Sequence, residues 1–195
     1  MEQRDLLIRE THHRVKNHLQ IIASILQMEA LRRGPEVTEF AESLQRRLDV
    51  LAAAHEVSYK AAELGVIDAA QHIHRICEPM SSPEHPVVAL VDAGVTLTSD
   101  QATPVALITN EVICNALKHA FPDRGQGRVD VVLKRDTADV VLTITDNGVG
   151  LGDKRQAGTL GLFLVHGLAK QLGGECSLTS GKRRGAVFTL RFPAG

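Results

Sequence analysis

The sequence predicts an α+β fold in two parts, a helical part over residues 1–79 and a part with helices beside a sheet over residues 80–195. Three observations lead to this prediction. Apolar side chains recur at helical spacing in roughly the first fifty residues. A turn-rich stretch, Met80–Pro86, interrupts this pattern. Beyond it, short runs of β-branched residues occur together with two helical patterns, which is typical of α+β proteins.

The composition argues against several classes of protein. Of the 195 residues, 44% are hydrophobic and 3% are aromatic, so aliphatic side chains must fill the core. A net charge of −1 argues against the basic surface of a nucleic-acid-binding protein. The three cysteines lie far apart, and no apolar run reaches the ~18 residues of a membrane span. We therefore expect a soluble, cytoplasmic protein with no nucleic-acid partner and no membrane span.

Two amphipathic helices are predicted in the N-terminal part. Positions 8, 12, 15, 19, 22 and 26 form a seam, a glycine–proline pair at positions 34 and 35 ends it, and a second apolar stripe runs from Val37 to Leu51. The two helices should form an αα-hairpin. A lone hairpin buries little apolar surface, so we expect two copies to pair as a four-helix bundle in a homodimer; packing against the rest of its own chain is the alternative. A shorter helix should run from Asp68, a good N-cap, to about Cys77.

The second part should combine five strands with one long and one shorter helix. Its elements are runs of apolar and β-branched residues bounded by turn residues, with Asp136–Asp139 as a hairpin turn and a glycine pair after the second helix. We expect strands at Val87–Val91, Val129–Leu133, Val140–Thr145, Glu175–Thr179 and Ala186–Phe192, and helices at Asp100–His119 and Leu160–Leu172.

One chemical motif lies on the first predicted helix. At about 100° per residue, His13 points away from the apolar seam and towards solvent. Glu10 and Asn17, three residues before and four residues after it, share its face. A carboxylate beside an imidazole can accept the Nδ1–H, which leaves Nε2 with a free lone pair. An oriented, exposed, neutral imidazole suits a nucleophile for phosphoryl transfer; an ordinary surface histidine on a solvated helix is the alternative.

Three further motifs occur in the second part. Glu111, Asn115 and Lys118 form one polar strip on the long helix, where an amide oxygen could hold Mg²⁺ and an ammonium could neutralise phosphate, although a plain solvated face would look the same. Asp146-Asn-Gly-Val-Gly150 directly follows a strand, so its carboxylate could accept from an adenine amino group. Gly158-Thr-Leu-Gly161 opens a helix, a position that suits phosphate. Each glycine motif alone is weak, because such sequences also mark plain turns.

Taken together and in this order, the four motifs resemble those of bacterial two-component sensor histidine kinases. LLIRETHHRVKNHLQIIASIL resembles the dimerisation and phosphoacceptor helix of the subfamily whose acceptor motif reads H-R-x-K-N. NEVICNALKHAF is similar to its N box, DNGVGL to its first glycine box, GTLGLFLVHGLAKQLGG to its second, and GAVFTLRFP to its closing strand. The resemblance covers nearly the whole chain. It implies that residues 80–195 adopt the α/β-sandwich ATP-binding fold of the GHKL, or Bergerat, type, which gyrase, heat-shock and mismatch-repair ATPases share.

The resemblance also implies roles for the site residues. His13 would be the phosphoacceptor, with Glu10, Asn17 and Glu111 in catalytic roles, and Asn115 would hold Mg²⁺. The short stretch between the two glycine boxes implies a short lid over ATP. The residues that would bind ATP are Asn115, Lys118, His119, Asp146, Gly148, Gly150, Gly158 and Gly161.

The implied function is an ATP-dependent protein histidine kinase that phosphorylates His13 and passes the phosphoryl group to an aspartate of a response-regulator receiver domain. Its input would come from an upstream sensor domain, if the chain is a fragment of a longer kinase, or from a protein in trans. Two alternatives share part of the pattern. A histidine phosphotransferase would use the acceptor helix without ATP, and a serine kinase of the anti-sigma type would use the ATP motifs without the H-R-x-K-N helix.

Overall fold

The structure, a computed structural model, describes residues 37, 41–42, 44–50, 66–122, 125–151, 160–181 and 184–195. Within these ranges the predicted α+β class is confirmed. The first predicted hairpin helix, which carries the acceptor motif, lies outside the described residues. Of the second predicted hairpin helix, residues 37, 41–42 and 44–50 are described and all are helical. Residues 44–50 are called the N-terminal helical segment below.

A five-stranded mixed sheet lies at the centre of the described structure. Its strands are β2 (Val87–Val91), β4 (Val129–Asp136), β5 (Asp139–Asp146), β6 (Glu175–Ser180) and β7 (Ala186–Pro193). Their order across the sheet is β2–β4–β5–β7–β6, in which β2 and β4 run parallel and the other neighbours run antiparallel. A long helix connects β2 to β4, as a parallel crossover requires. A separate short ladder pairs β1 (Ile67–Asp68) with β3 (Thr96–Leu97).

In the described ranges from residue 66 onward, three α-helices accompany the sheet: α1 (Ala69–Cys77), α2 (Ser99–His119) and α3 (Leu160–Gln171), with a 3₁₀ turn after α1. The predicted N-cap of α1 is confirmed, since the Asp68 carboxylate accepts from the Gln71 backbone N–H at 2.9 Å. At the start of α2, the Gln101 side chain accepts from the Thr98 backbone N–H at 3.1 Å. None of the helices in the described ranges has the length and apolar character needed to cross a membrane.

Aliphatic side chains fill the core, as the scarcity of aromatic residues requires. Along β5, Val140, Leu142 and Ile144 are buried, and they alternate with less buried residues, so one face of the sheet is packed. Helix α2 contributes Ile108 and Ile113, both fully buried, to the same core. The sheet and this helix therefore hold the motifs of the second part in fixed relative positions.

The stretch from β1 to α1 packs into this same core. Ile67 pairs with Leu97 in the short ladder, and Ile67 and Ile73 are buried among the residues of the sheet core. The buried His72 ring lies with Nε2 2.9 Å from the Ala102 carbonyl oxygen, which joins α1 to α2. The expected division between residues 79 and 80 therefore falls within a region whose two sides share one core. The two-residue strands β1 and β3 were not predicted, because two residues are too short to show a period.

Candidate functional site

A polar cleft lies along the second half of helix α2. The predicted strip of Glu111, Asn115 and Lys118 does line this one cleft, because residues three and four apart share a helical face. Asn110, which lies outside the predicted strip, lines it as well. His119, also expected to bind nucleotide, is exposed in the last turn of α2 and is absent from the described lining. The lining residues are Arg46, Asn110, Glu111, Cys114, Asn115 and Lys118.

The Glu111 carboxylate is held by a guanidinium from the N-terminal helical segment. Arg47 Nε donates to Oε2 at 2.8 Å and Arg47 Nη2 donates to Oε1 at 2.9 Å, a bidentate pair. The side chains of Arg47 and Glu111 are 14% and 8% exposed. The hydrogen bond to Glu111 raises the pKa of Arg47 above its ordinary value, so the guanidinium stays charged. This contact ties the helical part of the chain to the cleft.

The first turn of helix α3 abuts the same carboxylate. A Cβ placed on Gly161 would lie 1.9 Å from Glu111 Oε1, so no other residue fits there without displacing Glu111. Gly161 of the second glycine motif is thus packed against the polar strip. The start of a helix favours anionic ligands, because the helix dipole is positive there, and here it adjoins a cleft that already contains cationic side chains.

The Asp146 carboxylate lies at the end of β5 and is buried, 7% exposed. Its Oδ1 accepts from the Gly148 backbone N–H at 2.9 Å, and its Oδ2 accepts from the Ala186 backbone N–H at 3.1 Å. Two backbone donors therefore fix its orientation, while each oxygen keeps a further lone pair. Gly185, with φ +79°, passes so close that a Cβ there would lie 1.8 Å from the Asp146 carbonyl oxygen.

The first glycine motif packs against the C-terminal end of α2. The Val149 backbone N–H donates to the Ala120 carbonyl oxygen at 3.0 Å, and a Cβ on Gly148 would lie 2.2 Å from that oxygen. Gly161 contacts α2 at Glu111. Glu111 lies nine residues before Ala120, which is about 13 Å along a helix. Gly161 and the first glycine motif therefore meet α2 at two points, and Asn115 and Lys118 lie between these points along the helix.

Some site residues expected from the sequence lie outside the described residues, and some described ones were missed. Glu10, His13, Asn17 and Gly158 belong to the first group. Arg46, Arg47 and the Ala186 N–H belong to the second. The closing-strand motif that begins at Gly185 contains Ala186, so that stretch of chain did carry a signal in the sequence. No local pattern shows that Arg47 pairs with a carboxylate 64 positions away.

Two family models match the chain. The first, described as histidine kinase, matches residues 10–83. The second, described as the histidine kinase-, DNA gyrase B- and HSP90-like ATPase, matches residues 100–195. The two matches follow one another and together account for most of the chain. The chain belongs to the histidine kinases.

Individual relatives agree with this family. The sensor histidine kinase PdtaS of Mycobacterium tuberculosis (strain CDC 1551 / Oshkosh) is 30% identical over 202 residues, which cover 98% of this chain and 40% of PdtaS. The chain thus spans two fifths of that relative's length. The solved histidine kinase domain of the Erythrobacter litoralis blue-light-activated kinase EL346 is 27% identical, with a TM-score of 0.64 over 97% of this chain and 92% of that one. The anti-sigma F factor of Bacillus licheniformis is 34% identical over 70 residues, 36% of this chain.

The ATPase family model and the solved kinase domain thus confirm the predicted ATP-binding fold. The polar cleft and both glycine motifs lie within the match of the ATPase model. The residues present suit a magnesium nucleotide, because Mg²⁺ is usually held by one or two protein oxygens together with phosphate oxygens and water. The Asn115 amide oxygen lines the cleft beside the cationic Lys118 and could serve as such a ligand.

Proposed function

We propose that this chain is an ATP-dependent protein histidine kinase that phosphorylates its own His13 and passes the phosphoryl group to an aspartate of a response regulator. The observation that carries the proposal is the cleft on α2, which contains Asn115, Lys118 and Glu111. Gly161 packs against Glu111 and Gly148 against Ala120. Histidine kinase family membership of both halves supports it.

Each nucleotide-binding residue has a proposed task. Asp146, fixed by two backbone N–H groups, accepts from the adenine amino group with a remaining lone pair. Gly148 and Gly150 keep the backbone close to the base, and His119 lies at the edge of the site. Lys118 and the start of α3, with Gly158 and Gly161, contact the phosphates.

Asn115 would hold Mg²⁺, which neutralises phosphate charge and orients the terminal phosphate when bound. The Glu111 carboxylate lies in the same polar strip, and its ion pair with Arg47 neutralises its charge. Catalysis in this site would come mainly from positioning and charge neutralisation, because phosphoryl transfer requires little covalent chemistry from the protein.

His13 is the proposed nucleophile. Glu10 accepts its Nδ1–H and Asn17 lies on the same helical face, so Nε2 carries a free lone pair. Nε2 attacks the γ-phosphorus, an N–P bond forms, and the bond to the β–γ bridging oxygen breaks with release of ADP. An aspartate carboxylate of the receiver domain then attacks phosphorus, and the N–P bond breaks.

The assembly proposed for this reaction is a homodimer in which two hairpins form a four-helix bundle. Light scattering of the chain should give about twice the mass of one copy, and a mass of one copy would refute the dimer. Input from a sensor domain or from a protein in trans is part of the same proposal, as is a cytoplasmic location beside the response regulator.

The chemistry of the product tests the proposal. After incubation with γ-labelled ATP and Mg²⁺, we expect label that is lost in acid and kept in base, as for phosphohistidine. Label that is kept in acid and lost in base would instead indicate a serine kinase, the alternative that the likeness to an anti-sigma factor favours. Absence of both label and ATP binding would leave the histidine phosphotransferase.

A further inference from the structure

Arg46 reaches the polar cleft from outside the ATPase domain. It belongs to the N-terminal helical segment, yet it lines the cleft beside Asn115 and Lys118. The half-buried Cys114 of α2 lines the same cleft. A residue of the phosphoacceptor part of the chain thus contributes to the surface that faces the proposed phosphate and magnesium position.

The neighbouring residue holds Arg46 in this place. Arg47 makes two hydrogen bonds with Glu111, at 2.8 and 2.9 Å, and both side chains are largely shielded from water. A bidentate, shielded ion pair restrains the helix far more than an exposed one does. Because Arg46 and Arg47 are consecutive, the pair keeps Arg46 within reach of the cleft.

The charges of the cleft suit a polyphosphate. Arg47 neutralises Glu111, and the other charged residues of the described lining, Arg46 and Lys118, are both cationic. Magnesium-bound ATP remains an anion, whereas adenosine carries no phosphate. A planar guanidinium matches phosphate oxygens in a bidentate manner, which an ammonium does not. The cleft would therefore distinguish nucleotides by their phosphates.

We propose that Arg46 is a phosphate-binding residue of the nucleotide site, supplied by the N-terminal helical segment and anchored by the Arg47–Glu111 pair. The inference rests on the proposed function, since it requires that ATP occupies this cleft. Nucleotide binding and docking of the helical segment then strengthen each other, because coupling between two binding events is reciprocal.

Calorimetric titration of the full chain tests this proposal with ATP and with adenosine as probes. Arg46→Gln should weaken ATP binding about ten- to hundredfold, the loss of one charge-assisted hydrogen bond, and should leave adenosine binding unchanged. Arg46→Lys should recover part of the ATP affinity. Arg47→Gln should also weaken ATP binding, since it releases the segment and leaves the Glu111 charge beside the phosphates.

The matched control is Arg135→Gln, which removes the same charge from an exposed position of β4. Arg135 pairs with Val140, at the opposite end of the β4–β5 hairpin from Asp146, so its replacement should not change ATP affinity. Wild-type chain that binds no ATP would refute the proposed function. If the wild-type chain binds ATP and Arg46→Gln binds it equally well or better, the role of Arg46 is refuted and the proposed function is not. Equal weakening of ATP and adenosine would also refute it, because the effect would not involve phosphate.

Discussion

Asp146 illustrates how one carboxylate can serve the fold and the ligand together. Both of its oxygens accept from backbone N–H groups, one in the following turn and one at the start of β7. Three segments of chain therefore meet at this side chain. The same hydrogen bonds fix the direction of the lone pairs that we assign to adenine, so binding needs no rearrangement of the carboxylate.

We predict that Asp146→Asn impairs both binding and stability. The amide places an NH₂ group against one of two backbone donors, either Gly148 or Ala186, and it also presents a donor to the adenine amino group. ATP affinity should fall about ten- to hundredfold and the free energy of unfolding by about 1–3 kcal/mol. Calorimetry and urea denaturation measure the two effects. Asp130→Asn, at an exposed ion pair with Arg128, is the control and should change little. Unchanged ATP affinity in Asp146→Asn would contradict the adenine role.

Thr137 is strained in the hairpin turn between β4 and β5. It has φ +53°, a left-handed conformation that β-branched residues rarely adopt, and it is exposed to solvent. We predict that Thr137→Gly raises the free energy of unfolding by about 0.5–1 kcal/mol, because relief of strain outweighs the added freedom of the unfolded chain. The same replacement at Ala138, where φ is not positive, should lower it by a similar amount. Urea denaturation that shows loss of stability in Thr137→Gly would refute the strain.

Among the elements, α1 and α2 are joined by a histidine that the fold keeps neutral. His72 is buried, and its Nε2 lies 2.9 Å from the Ala102 carbonyl oxygen, to which the neutral ring can donate. Burial lowers the pKa of His72 below its ordinary value of 6.5, and the nearby Arg75 lowers it further, against the hydrogen bond to Ala102, which raises it. The unfolded chain therefore binds this proton more readily than the folded chain does.

This difference predicts a pH dependence of stability. The contribution of His72 is fully present above its unfolded-state pKa of about 6.5 and is lost as the pH falls from there through the lower folded-state pKa. His72→Gln keeps an N–H donor and removes the titration. The drop in unfolding free energy between about pH 7.5 and about pH 5.5 should be smaller in His72→Gln than in the wild-type chain. An equal drop in both proteins would show that His72 does not titrate in this range.

How well an element was predicted depended on how local its causes are. Helix α2 and the β4–β5 hairpin follow from local periodicity and turn residues, so their positions were predicted to within a few residues. The strip of Glu111, Asn115 and Lys118 follows from helical spacing alone. By contrast, β1 and β3 pair across the whole of α1 and β2, and their two residues carry no pattern. The Arg47–Glu111 pair depends on how two distant helices dock, which no local pattern determines.

At the scale of the whole molecule, we propose that the unit folding around the sheet begins at about residue 66 rather than at residue 80. β1 and α1 bury Ile67, Ile73 and Cys77 in the sheet core, each 4% exposed or less. Burying one such aliphatic side chain contributes about 1.5–3 kcal/mol. The free energy that this stretch contributes by burial is therefore comparable with the free energy of unfolding of a whole domain, roughly 5–15 kcal/mol.

Two fragments distinguish the two boundaries. Residues 66–195 should unfold cooperatively in urea, whereas residues 80–195 should be less stable by several kcal/mol or fail to fold, because the core would be open where α1 packs. Both fragments lack Arg47 and keep the polar strip, so the missing ion pair cannot explain a difference between them. Equal stability of the two fragments would support the division between residues 79 and 80.

In the proposed reaction, a nucleotide bound on α2 phosphorylates His13, and the identity of the phosphorylated residue is the sharpest test of that reaction. Full-length chain should be incubated with ATP and Mg²⁺, digested at neutral to basic pH, and mapped by fragmentation mass spectrometry. The phosphoryl group should be on His13; His13→Ala should lose it while still binding ATP, and His12→Ala should keep it. Phosphate on His12, on a hydroxyl side chain, or still present in His13→Ala would contradict the assignment of His13 as the acceptor.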